Sequence, residues 1–540
     1  MTWPTESAAS TKTKPWHIIR TLIAVLTVGM LTFVTAACDG SGFGGFGKNA
    51  NSLKVLAGSE VKDLEPILND MEKETGVSFD ITYAGTLEGT EKLVNEGKGD
   101  FDLTWFPSNY YLSLFEQSKS LVGEEKSIMS SPVVLGLKPE KAKQLGWSED
   151  KQPAWADVAK AAEKGDLKFG MTSPLSSNSG FSTVLEAATA LSGSGNALQT
   201  KDVEAATEGL SKFSKGTSLT SGSSGWLAEA FSKDQSKADG IFNYESVLKG
   251  MDFGGQKPVL IAPSDGVVTA DYPLTLLDGA DDTTKENFNK ATEFLLSDEV
   301  QQRITDETHR RTKVSNPDDF PTTFETPYPA TLGTVQKLLE AWVANGRKPA
   351  TMFFQIDTSG SMRGDRLEQL KTALGILSGT SAQNDTERFL AIQPRETLNL
   401  VEFSHEVKST ETYSLADKGN ADKVRGDLDT KIQTLNADGG TAIYSTLETT
   451  LESAKKEKSD DKITSVVVFT DGLNEHGISF GEFKDWYNNN QDVHDIPVFA
   501  VSFGNADSQE LEELVSLTGG RVFDGNADLT AAFRDIRGYL

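Results

Sequence analysis

Short apolar runs able to form strands alternate with amphipathic helical stretches along most of the chain, in two separate blocks. In the first block Leu53–Ala57, Ser78–Tyr83 and Phe101–Phe106 read as strands. Asp63–Thr75 and Glu88–Glu96 read as the helices between them, with Ala291–Leu296 and Val300–Thr308 helical near the end. In the second block the strands are Thr351–Asp357, Thr397–Phe403, Ser465–Thr470 and Val498–Phe503. Its helices cover Asp365–Ser378, Ala421–Leu435, Ala442–Lys455, Ser508–Leu517 and Ala527–Arg537. Between the blocks, Glu325-Thr326-Pro327-Tyr328-Pro329 breaks the pattern, and a bridging helix, Leu332–Ala344, leads to Asn345-Gly346-Arg347-Lys348-Pro349. Strand–helix–strand alternation is the pattern of parallel sheets covered by helices on both faces, so the fold class is α/β, twice over. The expected organisation is 1–37 export signal, 38–52 tether, 53–325 first domain, 326–348 helical linker and 349–540 second domain.

A length of 540 residues exceeds one ordinary domain, which agrees with two blocks. A formal charge of −27 disfavours nucleic acid or anionic lipid as the main partner, because both demand a basic surface. The single cysteine, Cys38, excludes any disulfide within the chain. Its setting explains it: Lys12, Lys14, His17 and Arg20 precede the apolar run Thr21–Ala37, which ends Val34-Thr35-Ala36-Ala37-Cys38. A basic region, an apolar core and small residues before a boundary make an export signal. A cysteine after Ala-Ala resembles a lipobox, whose thiol is acylated and holds the protein to the outer side of a cell membrane. Thr35 stands where that motif usually has leucine. An uncleaved anchor and plain secretion are the other two readings of the segment. The glycine-rich stretch Asp39–Gly47 reads as a flexible tether.

Asp357-Thr358-Ser359-Gly360-Ser361 directly follows a strand-like run, so an aspartate and two hydroxyls at alternate positions can turn toward one point. Gly439-Gly440-Thr441 opens a helix, and Thr470-Asp471-Gly472 closes a strand. Short oxygen ligands gathered at strand ends suit a hard divalent cation. Taken singly, each piece also reads as a helix cap or a turn. Together and in this order they resemble the metal-ion-dependent adhesion site of von Willebrand factor A-type domains. That resemblance, over about Pro349–Leu540, implies a doubly wound Rossmann-like domain in which Asp357, Ser359, Ser361, Thr441 and Asp471 hold Mg²⁺, or Ca²⁺ or Mn²⁺. It also implies a protein partner that donates an Asp or Glu carboxylate to the metal. His476, just beyond Asp471, reads as a solvent-facing loop histidine.

In the first block, Ser176-Ser177-Asn178-Ser179-Gly180 and Thr220-Ser221-Gly222-Ser223-Ser224-Gly225 each precede a helix. Helix N-termini and flanking hydroxyls present donors that can hold an oxyanion or carboxylate. Ser59 and Ser108 would add donors from the other side, and Tyr244 is as readily a core residue as a ligand contact. The constellation resembles bacterial extracellular solute-binding proteins of the type that binds molybdate, sulfate and similar anions. This implies a two-lobed, type II periplasmic-binding-protein fold, with Ser59, Ser108, Ser177, Ser179, Ser223 and Tyr244 toward a small anion. The acidic run Asp278–Asp282 reads as a solvated helix start.

No phosphate loop and no His-x-x-x-His spacing occurs, which argues against an enzyme. The function expected is that of a cell-surface lipoprotein that binds a partner through its metal site and a small anion through its first domain. The alternative is the substrate-binding component of an anion transport system, with the second domain as a docking module.

Overall fold

The computed structural model describes residues 51–537 apart from 316–322, 381, 383–384, 416–417, 460, 505, 507 and 527–528. The expected signal 1–37 and Cys38 lie outside the described residues. Among the described residues no helix is long and apolar enough to cross a membrane.

The first block folds as two α/β lobes. One is a five-stranded sheet in the order Ser78–Tyr83, Ser52–Ala57, Leu103–Trp105, Pro273–Leu277, Val122–Ser127. The first three strands are parallel, and Pro273–Leu277 runs antiparallel to both of its neighbours. The second lobe has Ser131–Leu137, Gly240–Tyr244, Phe169–Thr172 and Thr217–Ser221 as successive neighbours. The chain passes from one sheet to the other at 128–130 and again at 271–272, which separates Thr269–Ala270 from Pro273–Leu277. The second crossing turns at Tyr272, whose φ of 42° lies in the left-handed region. A bulky residue there is strained, and such strain persists only where surrounding structure holds it.

The segment read as a linker is part of the second lobe. Its helix runs Leu332–Ala341 and widens into a π turn over Trp342–Gly346. Val335, Leu338, Leu339 and Trp342 are buried in the same core as Trp155, Phe169 and Phe213. Apolar residues at i, i+3, i+4 and i+7 form one helical stripe, which explains why the segment docks. At about 2 kcal/mol per fully buried large apolar side chain, the stripe holds it firmly.

The C-terminal block is a six-stranded sheet in the order Val407–Ser414, Thr397–Phe403, Ala350–Asp357, Ile463–Thr470, Val498–Ser502, Val522–Asp524. All neighbours are parallel except the edge hairpin Thr397–Phe403 with Val407–Ser414. Met352, Phe354 and Ile356 enter one core and Phe353 the other, so helices cover both faces. Sequence reading finds the four inner strands but misses both edges. Val407–Ser414 is mostly polar and half exposed, and Val522–Asp524 is too short to show a period.

The second lobe and the C-terminal domain are in contact. Trp226, on the helix Ser224–Lys233, packs against the C-terminal core, and the Arg521 guanidinium lies 3.7 Å from its ring centroid. Trp226→Ala is expected to remove about 1 kcal/mol of cation–π attraction together with the buried apolar area. Limited proteolysis between the two domains should then accelerate severalfold. An unchanged rate would show that the connecting segment alone holds them together.

Candidate metal centre and solute cleft

Asp357 is the last residue of a central parallel strand, fully buried where the loops converge. The turn after it is set by local hydrogen bonds. Ser359 N–H donates to Asp357 Oδ1 at 2.8 Å, and Thr358 N–H donates to the Phe403 carbonyl at 2.8 Å. A 3-10 turn, Gly360–Met362, then plants Met362 in the core, and Gly364 at φ 83° lets the next helix begin. From the neighbouring strand, Thr470 Oγ1 donates to Asp357 Oδ2 at 2.7 Å.

Asp471 follows that strand and is also fully buried. Ser361 Oγ donates to Asp471 Oδ1 at 2.7 Å, and Ser359 Oγ lies 2.9 Å from Ser361 Oγ. The Gly439–Thr441 loop is pinned alongside, with Gly360 N–H donating to the Gly439 carbonyl at 2.8 Å. An ideal Cβ on Gly472 would stand 3.5 Å from Ser361 Oγ and 3.7 Å from Thr441 Oγ1, so both hydroxyls face one small space. Side chains from three distant segments, Asp357, Ser359, Ser361, Thr441 and Asp471, are thus brought close together. All donors are oxygen, which fits a hard cation. The set is built on hydroxyls and two carboxylates, and among the described residues no group of three or more His, Cys, Asp or Glu is placed to hold a metal.

Burial pushes the Asp357 carboxyl up to about 6; its hydrogen bonds act downward and the Asp471 charge upward. Arg366 Nη1 donates to Asp471 Oδ2 at 2.5 Å, a partner that sequence reading misses. His476 is exposed, as expected, with its backbone N–H on the Thr441 carbonyl at 2.9 Å.

Between the lobes of the first block the serine loops meet in part. Ser179 Oγ lies 2.9 Å from Thr172 Oγ1, 3.2 Å from Ser177 Oγ and 3.0 Å from Ser224 Oγ. Asn178 Nδ2 donates to Tyr244 Oη at 3.1 Å, and Tyr244 is wholly buried against Tyr272, with ring centroids 5.8 Å apart. From the other lobe Ser59 Oγ approaches within 3.8 Å of where a Cβ on Gly225 would stand. Neither Ser59 Oγ nor Ser223 Oγ has a hydrogen-bond partner among the described residues. Ser108 is different: its Oγ accepts the Tyr110 N–H at 3.2 Å, a local cap, and no hydrogen bond ties it to the other serines. The acidic run is also a cap, with Asp281 accepting the Thr284 N–H at 2.7 Å.

Sequence reading overlooks Glu60. It is 8% exposed, beside Tyr244, Tyr272 and Arg310, and burial pushes its carboxyl up to about 7. Below its unfolded value of 4.5 the group is protonated in both states, and above about 7 it is ionised in both. Between those values the folded chain keeps a proton that the unfolded chain has lost. Stability therefore falls, by up to about 3 kcal/mol, as pH rises through that window. Glu60→Gln is expected to flatten this slope in denaturation series at pH 5 and pH 8. A slope unaltered by the substitution would show that Glu60 ionises normally.

Residues 53–307 match the family model described as bacterial extracellular solute-binding protein, and residues 352–537 match the von Willebrand factor type A (VWA) domain. The chain is a solute-binding domain followed by a VWA domain. The solute-binding match points to an extracellular or periplasmic location. Both domain types are generally binding modules. An uncharacterized protein of Synechocystis sp., sll0103, is 30% identical over 132 residues, 24% of this chain; the match spans about a quarter, 27%, of that relative's length. Among solved structures, the periplasmic binding protein AfuA of Actinobacillus pleuropneumoniae, with fructose-6-phosphate bound, aligns at 13% identity. The alignment covers 54% of this chain and 98% of that one, with a TM-score of 0.44. The ferric binding protein of Campylobacter jejuni aligns at 17% identity over 54% and 95% of the two chains, with a TM-score of 0.40. The VWA strand ends thus carry Asp357 and Asp471, and the solute-binding lobes face each other across Ser59, Glu60, Ser223, Tyr244 and Tyr272.

Proposed function

We propose that the protein is a lipid-anchored surface receptor: its VWA domain captures a carboxylate-bearing protein partner through a divalent ion, and its solute-binding domain takes a small polar solute. The observation that supports the first part is the Ser359–Ser361–Asp471 hydroxyl–carboxylate chain, closed by Thr441 and backed by Asp357. Ser359, Ser361 and Thr441 would ligate Mg²⁺, Ca²⁺ or Mn²⁺ directly. Asp357, whose oxygens each accept one hydrogen bond, from Ser359 N–H and Thr470 Oγ1, would balance the ion's charge directly or through water. When bound, the ion supplies a Lewis-acidic corner for an outside Asp or Glu side chain. Arg366 releases Asp471 Oδ2 to the site or stays as a counter-charge beside it.

The test is retention of the full chain on intact cells or membranes with and without chelator, alongside Mg²⁺ and Mn²⁺ titration calorimetry. Binding of one ion per chain and chelator-sensitive retention are expected. Retention indifferent to chelator would remove the metal from the capture step. Mass spectrometry of the membrane-extracted protein should find Cys38 acylated and N-terminal, and an unmodified thiol would exclude the anchor.

A further inference from the structure

The solute cleft holds a buried carboxyl group that no cationic side chain among the described residues contacts directly. Glu60 Oε1 is buried with no hydrogen-bond partner among the described residues, and the hydroxyls of Ser59, Ser223 and Tyr272 are in the same state. The cation closest to hand is already engaged: Arg310 Nη1 donates to both oxygens of Asp63 at 2.9 and 2.7 Å, and Nη2 to the Glu60 backbone carbonyl at 2.9 Å. Its guanidinium lies 5.1 Å from the Tyr272 ring centroid, and only Arg310 Nε remains as a donor without a partner. Among the described residues Asp63 alone is ion-paired with that guanidinium, and the Glu60 carboxyl feels it only at a distance. Arg311, next in sequence, pairs instead with Glu245 at 2.9 Å. Tyr272 is held in the left-handed region, a strained placement for a bulky residue.

An oxyanion would meet Glu60 as a like charge. A protonated amine meets the opposite: a carboxylate oxygen, hydroxyl acceptors and two tyrosine faces, in a site closed to water. We infer that the solute is a small organic amine in its cationic form, bound between the lobes with its N–H groups on Glu60 Oε1 and the Ser59, Ser223 and Tyr272 hydroxyls. Arg310 Nε then serves an acceptor carried elsewhere on the same molecule. This inference rests on the reading of the first domain as a solute receptor and narrows its ligand.

The experiment is thermal unfolding and calorimetry of the full chain with putrescine, ethanolamine and γ-aminobutyrate against sulfate, phosphate and molybdate, each at millimolar concentration. At least one amine should raise the unfolding temperature, and Glu60→Gln should weaken that amine at least about tenfold. Tyr272→Phe, which keeps the ring, should weaken it as well and guards against misfolding of the first variant. Binding of an oxyanion that Glu60→Gln leaves intact or strengthens would overturn the amine assignment while keeping the receptor reading. Binding of none of the six would overturn both.

Discussion

Asp357→Asn is expected to abolish Mg²⁺ and Mn²⁺ binding, weakening affinity by at least about 100-fold, while leaving the metal-free VWA domain more stable than wild type at pH 8. The two halves of this expectation have one origin. Asp357 is wholly buried beside Asp471, and its carboxyl is pushed up to about 6 from 3.8. Below 3.8 the folded and unfolded chains both hold its proton, and above about 6 neither does. The cost of the buried charge thus appears as pH rises through that window, on the order of 2–3 kcal/mol once complete. An asparagine oxygen still accepts the Ser359 N–H but carries no charge to set against a cation. Metal-loaded wild type should unfold at a higher temperature than the chelated protein, by about 2.7 kcal/mol of stabilisation at a hundredfold excess over Kd. The variant should ignore chelator and sit above chelated wild type. Asp357→Ala should lose the metal equally. Calorimetry that finds Mg²⁺ affinity unchanged in either variant would end the assignment of the site.

Glu396→Gln should destabilise the chain by about 3–5 kcal/mol, read from urea denaturation at pH 7. Glu396 is fully buried and is the shared counterion of Arg537, at 3.2 Å, and of Arg347, which it also hydrogen-bonds. Burial alone would push its carboxyl up, but Arg537, Arg347 and the Gln393 N–H more than offset that and hold it below the ordinary range. Its contribution is therefore present above pH 4.5 and lost as acid protonates it. The glutamine variant leaves two guanidinium groups facing each other without neutralisation, one of them, Arg537, 6% exposed. Because Arg347 belongs to the connecting segment and Arg537 to the last described helix, the loss should loosen both ends of the VWA domain together. A change below about 1 kcal/mol would mean that the arginines find other acceptors.

The residues of the candidate site could be picked out in the sequence because each stands beside a signal of its own: a buried strand that ends in Asp357, a Gly-Gly pair before Thr441, a strand that ends in front of Asp471. Those signals are local, and the α/β alternation says at which end of the sheet they gather. Thr470 and Arg366 were missed since their role exists only once two segments meet in space. The cleft was harder for the same reason. Serines at helix starts announce donors, but Ser108 proves to be a local cap, while Glu60 and Tyr272 sit in stretches with no distinguishing pattern. The bridging helix docks on the second lobe, which its apolar stripe could not say, because such a stripe shows that a helix docks without showing against what.

The helix Ser224–Lys233 begins among the hydroxyls of the solute cleft and, within its first turn, presents Trp226 to the VWA core and Arg521. Helix and tryptophan link the second lobe to the VWA domain, so a movement of that lobe would carry the VWA domain with it. Any swing about the crossings at 128–130 and 271–272 would then turn the VWA domain relative to the first lobe, with the longest arc at the end farthest from the pivot.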